Sequence, residues 1–459
     1  MKNILIAIRS IFKKGRHNVM KIVSLGIGLA VGLVLIAKVY FEQSYDDFYP
    51  DRDRVYQVWA KYQQNGGELK DYPQTSGGIA PTMQQQIPEI ETVTRYTSFG
   101  DWTFTMTDTK MKYSGRCIIA DSCFFDILPR PMLIGNAKEV LSTPMYVLIS
   151  SRIAKNIGGD VIGKNFTVDS SPGRTMTIGG VFEEVPENSH SRYDVIVSMA
   201  SAGRFMWEGS PTNMLGNDRY ISYVKLHKGV NPLALEEQVH TFVNSYFPPE
   251  EQQKTGFNIG FSFHELDGLH KELPQVKRMT WILSLLAFAL IFTAVMNYIL
   301  IVISSIVNRS KEVAVHKCYG ASENNIHGMM FGEALVHIVL SLILALLLIL
   351  AFRGTVEELL ATSLDSLLLS NGSLVLLGIC ILVFFVSGFM PGSLYARIPV
   401  ASAFRNYREN KRIWKKALLL VQFVATGFLV TMLVFVARQY TFMVNDRPGY
   451  AYENLAYCG

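Results

Sequence analysis

Cysteine is scarce in this chain, five residues in 459, and no two of them form a C-x-x-C pair. Zinc-ribbon and dithiol redox chemistry are left without a ligand set. Cys117 and Cys123 are close enough in sequence for a disulfide to be conceivable, subject to a demanding geometry. No complete phosphate-binding loop is present either. Gly158-Gly-Asp-Val-Ile-Gly163-Lys164 has the Walker A spacing, but Asn165 stands where Ser or Thr should hold magnesium. The stretch reads as a turn between a helix ending near Ile157 and a strand beginning at Phe166. His264, Glu265, Asp267 and His270 match no zinc spacing. Ser189-His190-Ser191 lacks a nucleophile elbow. Asp46 and Asp47, like Glu183 and Glu184, are sequence neighbours that would point apart on a strand. The residues supply no catalytic, cofactor or metal set, and the chain reads as a non-enzyme.

Charge is also thin, at 18% of residues against 49% hydrophobic. That is too apolar for a soluble protein and too polar for one that is all membrane. Uncharged runs near the roughly 20 residues that a bilayer-crossing helix needs predict spans at 22–40, 280–307, 333–352, 374–396 and 417–436. Between the first two lies a polar stretch, 41–279, long enough for its own core. Its strands are predicted at Trp102–Met106, Tyr146–Ile149, Phe166–Val168, Met176–Ile178 and Ile221–Leu226, and its helices at Pro81–Gln86 and Leu233–Phe247. The fold class is an α-helical membrane protein with a large α+β extracytoplasmic domain inserted between its first and second transmembrane helices.

Acidic residues are absent from positions 1–41, which hold seven Lys/Arg, whereas 42–279 has 23 Lys/Arg against 29 Asp/Glu. The positive-inside rule therefore puts the N-terminus, 308–332 and the basic linker 397–416 in the cytoplasm. Residues 41–279, the short loop 353–373 and the tail 437–459 fall outside. Residues 1–21 read as an amphipathic helix on the inner surface, with Ile4, Leu5, Ile8, Ile11 and Phe12 opposite Lys2, Arg9, Lys13 and Lys14.

Within the spans, Gly28 and Gly32, and Gly388 and Gly392, form GxxxG pairs that allow close helix approach. Asn297 lies in mid-span, where its amide needs a partner on a neighbouring helix. Glu333 is expected to open the third span, where a helix N-terminus favours an anion, with His337 one turn on. An interfacial cap is the ordinary reading of that pair and an ion relay the sharper one.

Five outer motifs, FEQSYDDFYPDRDRVYQV (41–58), IPEIETVTRY (87–96), ADSCFFDIL (120–128), GDVIGKNFTV (159–168) and GVFEEVPENSHSRYDVIVS (180–198), resemble the periplasmic core domain of MacB-type ABC transporter permeases. NRSKEVAVHKCYGAS (308–322) and SGFMPGSLYARIPVASAFR (387–405) resemble the FtsX-like permease module, here 280–405, in the manner of the long Bacteroidota permeases. His316 and Cys318 stand where that family more often has a basic and an aliphatic residue. The resemblance implies a bacterial inner-membrane permease subunit that binds no ATP itself and works with a separate ABC ATPase dimer and a second permease copy or half. A periplasmic adaptor and outer-membrane channel are further implied partners, and nucleic acid is not one. On this reading Arg309, Lys311, Glu312, Lys317, Gly320 and Ala321 couple to the ATPase. The substrate would be a peptide, lipophilic drug or lipoprotein. The alternative is a non-transporting permease that regulates a cell-wall hydrolase or senses antimicrobial peptides. Residues 411–459 repeat the opening plan of basic stretch, span and aromatic exit, so a second outer domain is expected to start there and the chain to be a truncated form.

Overall fold

The computed structural model describes residues 17–171, 173–368, 372–396 and 413–445, with backbone alone at 306–309, 396, 413–415 and 418. The chain divides into a unit formed by residues 1–41 and 278–459 and a second formed by 42–277.

The second unit is built on one mixed sheet of eleven strands. They are β1 (Val55–Gln64), β2 (Lys70–Tyr72), β3 (Ile90–Met106), β4 (Lys112–Ala120), β5 (Met132–Ile134), β6 (Tyr146–Ser150), β7 (Asn165–Val168), β8 (Thr175–Phe182), β9 (Val195–Ser198), β10 (Ile221–Leu226) and β11 (Phe257–Glu265). The main order is β11-β1-β10-β3-β4-β9-β6-β8-β5, and β7 pairs with both β3 and β8. Those last two pairings close β3-β4-β9-β6-β8-β7 into a ring. Phe104, Met106, Ile119, Val147, Phe166, Ile178 and Val197 fill its interior. A closed ring leaves no free strand edge. β3 serves both halves because a register shift between Ser98 and Gly100 bends it, with Gly100 at φ +72°, a conformation glycine adopts without steric cost. Before the bend it pairs with β10 in an open sheet covered by the helices Ile79–Gln86 and Glu236–Tyr246, which bury Met83, Val239, Phe242 and Val243.

The first unit is helical. Its helices are α1 (Asn18–Gln43, running into the second unit), α2 (Pro274–Ser304, starting there), α3 (Ile306–Cys318), α4 (Glu323–Ala351), α5 (Arg353–Leu360), α6 (Leu364–Leu368), α7 (Ser373–Ala396) and α8 (Ile413–Asn445). Five of them, α1, α2, α4, α7 and α8, are long and apolar enough to cross a membrane. Leu25, Leu29 and Leu33 recur every four residues on α1 and pack into one core with Val295, Ile299 and Val302 of α2 and Met330, Ile338 and Ala345 of α4. Leu, Val and Phe side chains on the other faces are exposed, as a lipid solvent requires.

Several expectations are corrected. The stretch 353–373 is not a simple loop, since α5 and α6 occupy most of it, with Arg353 bridging to Glu357 at 2.9 Å and to Asp365 at 3.3 Å. α4 starts at Glu323, capped by Ser322, so Glu333 lies ten residues inside the helix rather than opening it. Residues 18–21 already belong to α1. The question left open at Cys117 and Cys123 is answered by two free thiols. The rest of the amphipathic segment, most of the basic linker and the residues beyond 445 lie outside the described residues.

Candidate functional site

Three places concentrate chemistry or exposure, two in the helical unit and one in the globular unit.

The first is the elbow that follows α2. Ser305 interrupts the helix, and its hydroxyl lies 2.6 Å from the Val302 carbonyl and 3.1 Å from the Tyr395 hydroxyl of α7. Tyr395 also donates to the Val302 carbonyl at 3.0 Å. The turn is therefore pinned by a third helix, and α3 leaves it in a fixed direction. α3 buries Val313 and Ala314 in the helical core. Gly320, at φ +86°, ends it in the left-handed conformation that a helix C-terminus often takes. Ala321 donates back to the His316 carbonyl at 3.0 Å.

The charges expected to dominate α3 are divided. Lys311 is exposed, Glu312 and Lys317 are half-buried, and the Arg309 side chain lies outside the description. The outward face carries Val315, 43% exposed, and Tyr319, 89% exposed, one helical turn apart, with His316 and Cys318 beside them. The i, i+4 spacing of Val315 and Tyr319 was visible in the sequence. The charges around them masked its meaning.

The second place is a polar cluster inside the helical unit. Lys21 Nζ, whose side chain is fully buried, lies 3.5 Å from Glu333 and donates to Asn18 at 3.2 Å. One turn along α4, His337 Nδ1 is 3.1 Å from the Tyr298 hydroxyl of α2. Ser341, a further turn on, donates to the Ile22 carbonyl at 3.1 Å. α1, α2 and α4 thus meet along one polar line, and the interfacial-cap reading of Glu333 and His337 does not hold. Lys21 was hidden among the other basic residues of the N-terminal segment.

Around this line the glycines act as contact points. A Cβ on Gly28 would strike Ala294, and one on Gly32 would strike Ile291, both on α2. A Cβ on Gly388 would stand 2.6 Å from Phe331, and one on Gly392 would stand 2.8 Å from His327, both on α4. Asn297 accepts from Gln422 of α8.

The third place is the neck of the globular unit, where the chain arrives from α1 and leaves toward α2. Glu42 meets His270 Nε2 at 2.6 Å, and the Tyr45 ring stacks on the same imidazole at 3.5 Å and 9°. Burial first, then the Glu42 charge, push the Tyr45 hydroxyl up to about 12. Lys271 reaches Asp47 at 2.9 Å and Asp267 at 2.8 Å, and Arg52 reaches Asp267 at 3.1 Å. Burial alone would raise the Asp267 carboxyl, but the Lys271 hydrogen bond and the Lys271 and Arg52 charges outweigh it and hold the group low. Burial works against the Lys271 ammonium too, and its two carboxylate partners overcome it and raise its pKa. Next to the neck, Asp46 is fully buried at φ +60° and accepts from Ser189 at 2.9 Å and meets His190 Nδ1 at 2.7 Å.

His190 Nε2 lies 3.0 Å from Ser191, so Asp46, His190 and Ser191 fall in the order of a hydrolase relay. Ser191 is 3% exposed and its hydroxyl lies 2.6 Å from the Tyr96 hydroxyl. The three side chains thus tie the loop 189–191 to Asp46 and to β3. His264 stacks on Trp59 at 4.2 Å, and among the described residues no three metal-binding side chains converge. Gly158, at φ +75°, caps a short helix, and the near-Walker stretch forms the turn into β7.

Residues 20–242 match the MacB-like periplasmic core domain and residues 284–400 the FtsX-like permease C-terminal family. Among solved structures, a domain of a protein described as a permease of Porphyromonas gingivalis is 33% identical, with a TM-score of 0.44; the match covers 47% of this chain and 91% of that one. No curated protein matches the chain.

Proposed function

Because the chain belongs to the MacB-like ABC permeases and is a multi-pass membrane protein, we propose that it is the membrane subunit through which a separate ABC ATPase drives the globular unit to export or release a substrate. In this reading the protein sits in the bacterial inner membrane. The N-terminus and the elbow face the cytoplasm, and residues 42–279 face the periplasm, a topology that the charge asymmetry supports. The ATPase dimer binds all the nucleotide. A second permease copy or half completes the transporter, and an adaptor and outer-membrane channel extend it.

The observation that carries this reading is the outward face of α3. A short helix anchored on one side by Val313 and Ala314, with Val315 and Tyr319 exposed on the other, has the form of a ridge that enters a groove. Val315 and Tyr319 supply the contact and Lys311 flanks it. Glu312 and Lys317, being half-buried, hold the ridge in place. Gly320 and Ala321 end it. Purification from native membranes with ATP hydrolysis as the readout tests the assignment. Val315→Asp should abolish association with the ATPase while leaving membrane insertion intact. Association and coupled hydrolysis at wild-type levels would remove α3 as the docking element. Association with an ATPase whose hydrolysis never moves a substrate would favour the signalling alternative.

A further inference from the structure

The neck holds more than any family assignment explains. Residues 42–52 and 267–271 are more than 200 positions apart, yet four contacts join them: Glu42 with His270, Tyr45 with His270, Asp47 with Lys271 and Arg52 with Asp267; within the second stretch, Lys271 also meets Asp267. Lys271 bridges the two carboxylates and Arg52 reaches both as well, Asp267 at 3.1 Å and Asp47 at 3.5 Å, so these four side chains close a ring, and the Glu42–His270–Tyr45 cluster adjoins it through the backbone between His270 and Lys271. His270 is held on two sides, by a carboxylate at its edge and a ring on its face. Glu42 and His270 are well shielded, with side chains 7% and 18% exposed. Isolated exposed ion pairs contribute little to stability, but a shared, partly buried network raises the cost of breaking any one member.

The first stretch is also fixed to the sheet. Asp46 donates its backbone N–H to the Asn188 carbonyl at 2.9 Å, and Asn188 donates its side-chain amide to the Ser44 carbonyl at 2.6 Å. His190 passes the chain of contacts on to Tyr223 of β10, and Ser191 passes it to Tyr96 of β3. Strand, loop and both neck stretches are thus one connected set of polar contacts.

We propose that this lattice is a clamp that makes the end of α1 and the start of α2 move as a single body with the central strands, so that the two helices cannot deliver separate motions to the globular unit. The clamp itself is a property of residues 42–277 alone. Only its consequence for transport rests on the permease reading, so the test below uses no ATPase.

Amide hydrogen exchange of the full chain in lipid nanodiscs resolves the two stretches as separate peptides. Lys271→Met removes the bridge between Asp47 and Asp267, and it should speed exchange about tenfold or more in both 42–52 and 266–273, the scale expected for losing charged hydrogen bonds. His270→Ala, which leaves every lysine in place, should loosen the same two stretches together. It also keeps the proposal testable should Lys271→Met fold poorly. Lys277→Met breaks only the exposed pair with Glu272 and should leave 42–52 unchanged. Faster exchange confined to 266–273 in both clamp variants, or no change in either stretch, overturns the proposal.

Discussion

The two ends of α2 are finished in opposite ways. At its start, in the neck, charged side chains are answered within the chain: Glu42, Asp47, Arg52, Asp267, His270 and Lys271 all have partners among themselves. At its end, in the elbow, the backbone is fixed with equal care by Ser305 and Tyr395, but Val315 and Tyr319 on the following helix are left outward. A protein that satisfies its own groups at one end and exposes an aromatic residue at the other distinguishes an internal joint from a surface meant for another molecule. The two ends therefore call for different experiments.

The largest effect is all-or-none and asks whether the two ends lie on opposite sides of a membrane. Cys318 is an exposed native thiol beside the elbow, and Glu272, 70% exposed, marks the neck. In spheroplasts, an impermeant thiol reagent should label Glu272→Cys and leave Cys318 unreacted until the membrane is opened. Labelling of Cys318 in sealed spheroplasts would reverse the topology and remove the proposed ATPase contact with it.

Next in size is the support behind the elbow. Lys21→Met removes the buried ammonium that lies 3.5 Å from the Glu333 carboxylate, which should cost about 3 kcal/mol of helical-unit stability. Replacing both residues by Met should cost less than the sum of the two single changes, because their mutual attraction is lost only once. Thermal unfolding in detergent measures the difference. A double variant as unstable as the sum of the two single ones would show that Lys21 and Glu333 act independently.

At the outward face the expected loss is smaller and specific to the partner. Tyr319→Ala should weaken ATPase association by about 2 kcal/mol, roughly 30-fold, as truncation of an interfacial aromatic anchor does. Stability in detergent should stay unchanged, because Tyr319 is 89% exposed. Glu312→Lys should act differently, weakening coupling through the seating of α3. If Glu312→Lys reduced association far more than Tyr319→Ala, the apolar ridge would lose its place to the charges.

This difference between the ends also marks how far the sequence could be read. The five apolar helices announce themselves through lengths that only a bilayer explains, and β10 occupies the alternating run Ile221–Leu226. β9 and the first half of β1 were not legible because they are buried on both faces, so Val195–Ser198 and Val55–Val58 show no alternation to detect. The ring closure was out of reach for a related reason. It depends on β7 pairing with two partners, and pairing is a long-range choice that four residues cannot announce. Gly28, Gly32 and Asn297 were legible because lipid imposes strict rules on glycine and on buried amides. Lys21 was not, since it is one of seven Lys/Arg in positions 1–41 and nothing in the sequence singles it out. The neck is the extreme case. Glu42 and His270 are 228 positions apart, and each is an unremarkable polar residue until the fold brings them together.

The smallest predicted effect tests the neck as an electrostatic lattice, through its dependence on pH. Asp267 is held below the ordinary carboxylate range, so it binds its proton less readily folded than unfolded. Its contribution is therefore complete above about pH 4 and is lost as pH falls through the lower folded value. Lys271 is shifted the other way, and its contribution is complete below about pH 10.4 and is lost as pH rises through the higher folded value. Exchange of residues 42–52 should thus be insensitive to the state of the clamp between those limits, once the intrinsic pH dependence of exchange is removed, and should rise outside both. The Asp267 side chain is 35% exposed, so solvent screening limits its share to less than about 1 kcal/mol. Lys271→Met should move the acid limb to higher pH, because the carboxyl keeps the burial that raises its pKa and loses the hydrogen bond that lowers it. An acid limb that stays at the wild-type position in Lys271→Met would mean that Arg52 alone sets the Asp267 charge. The neck would then be a pair of independent contacts rather than the lattice that separates it from the elbow.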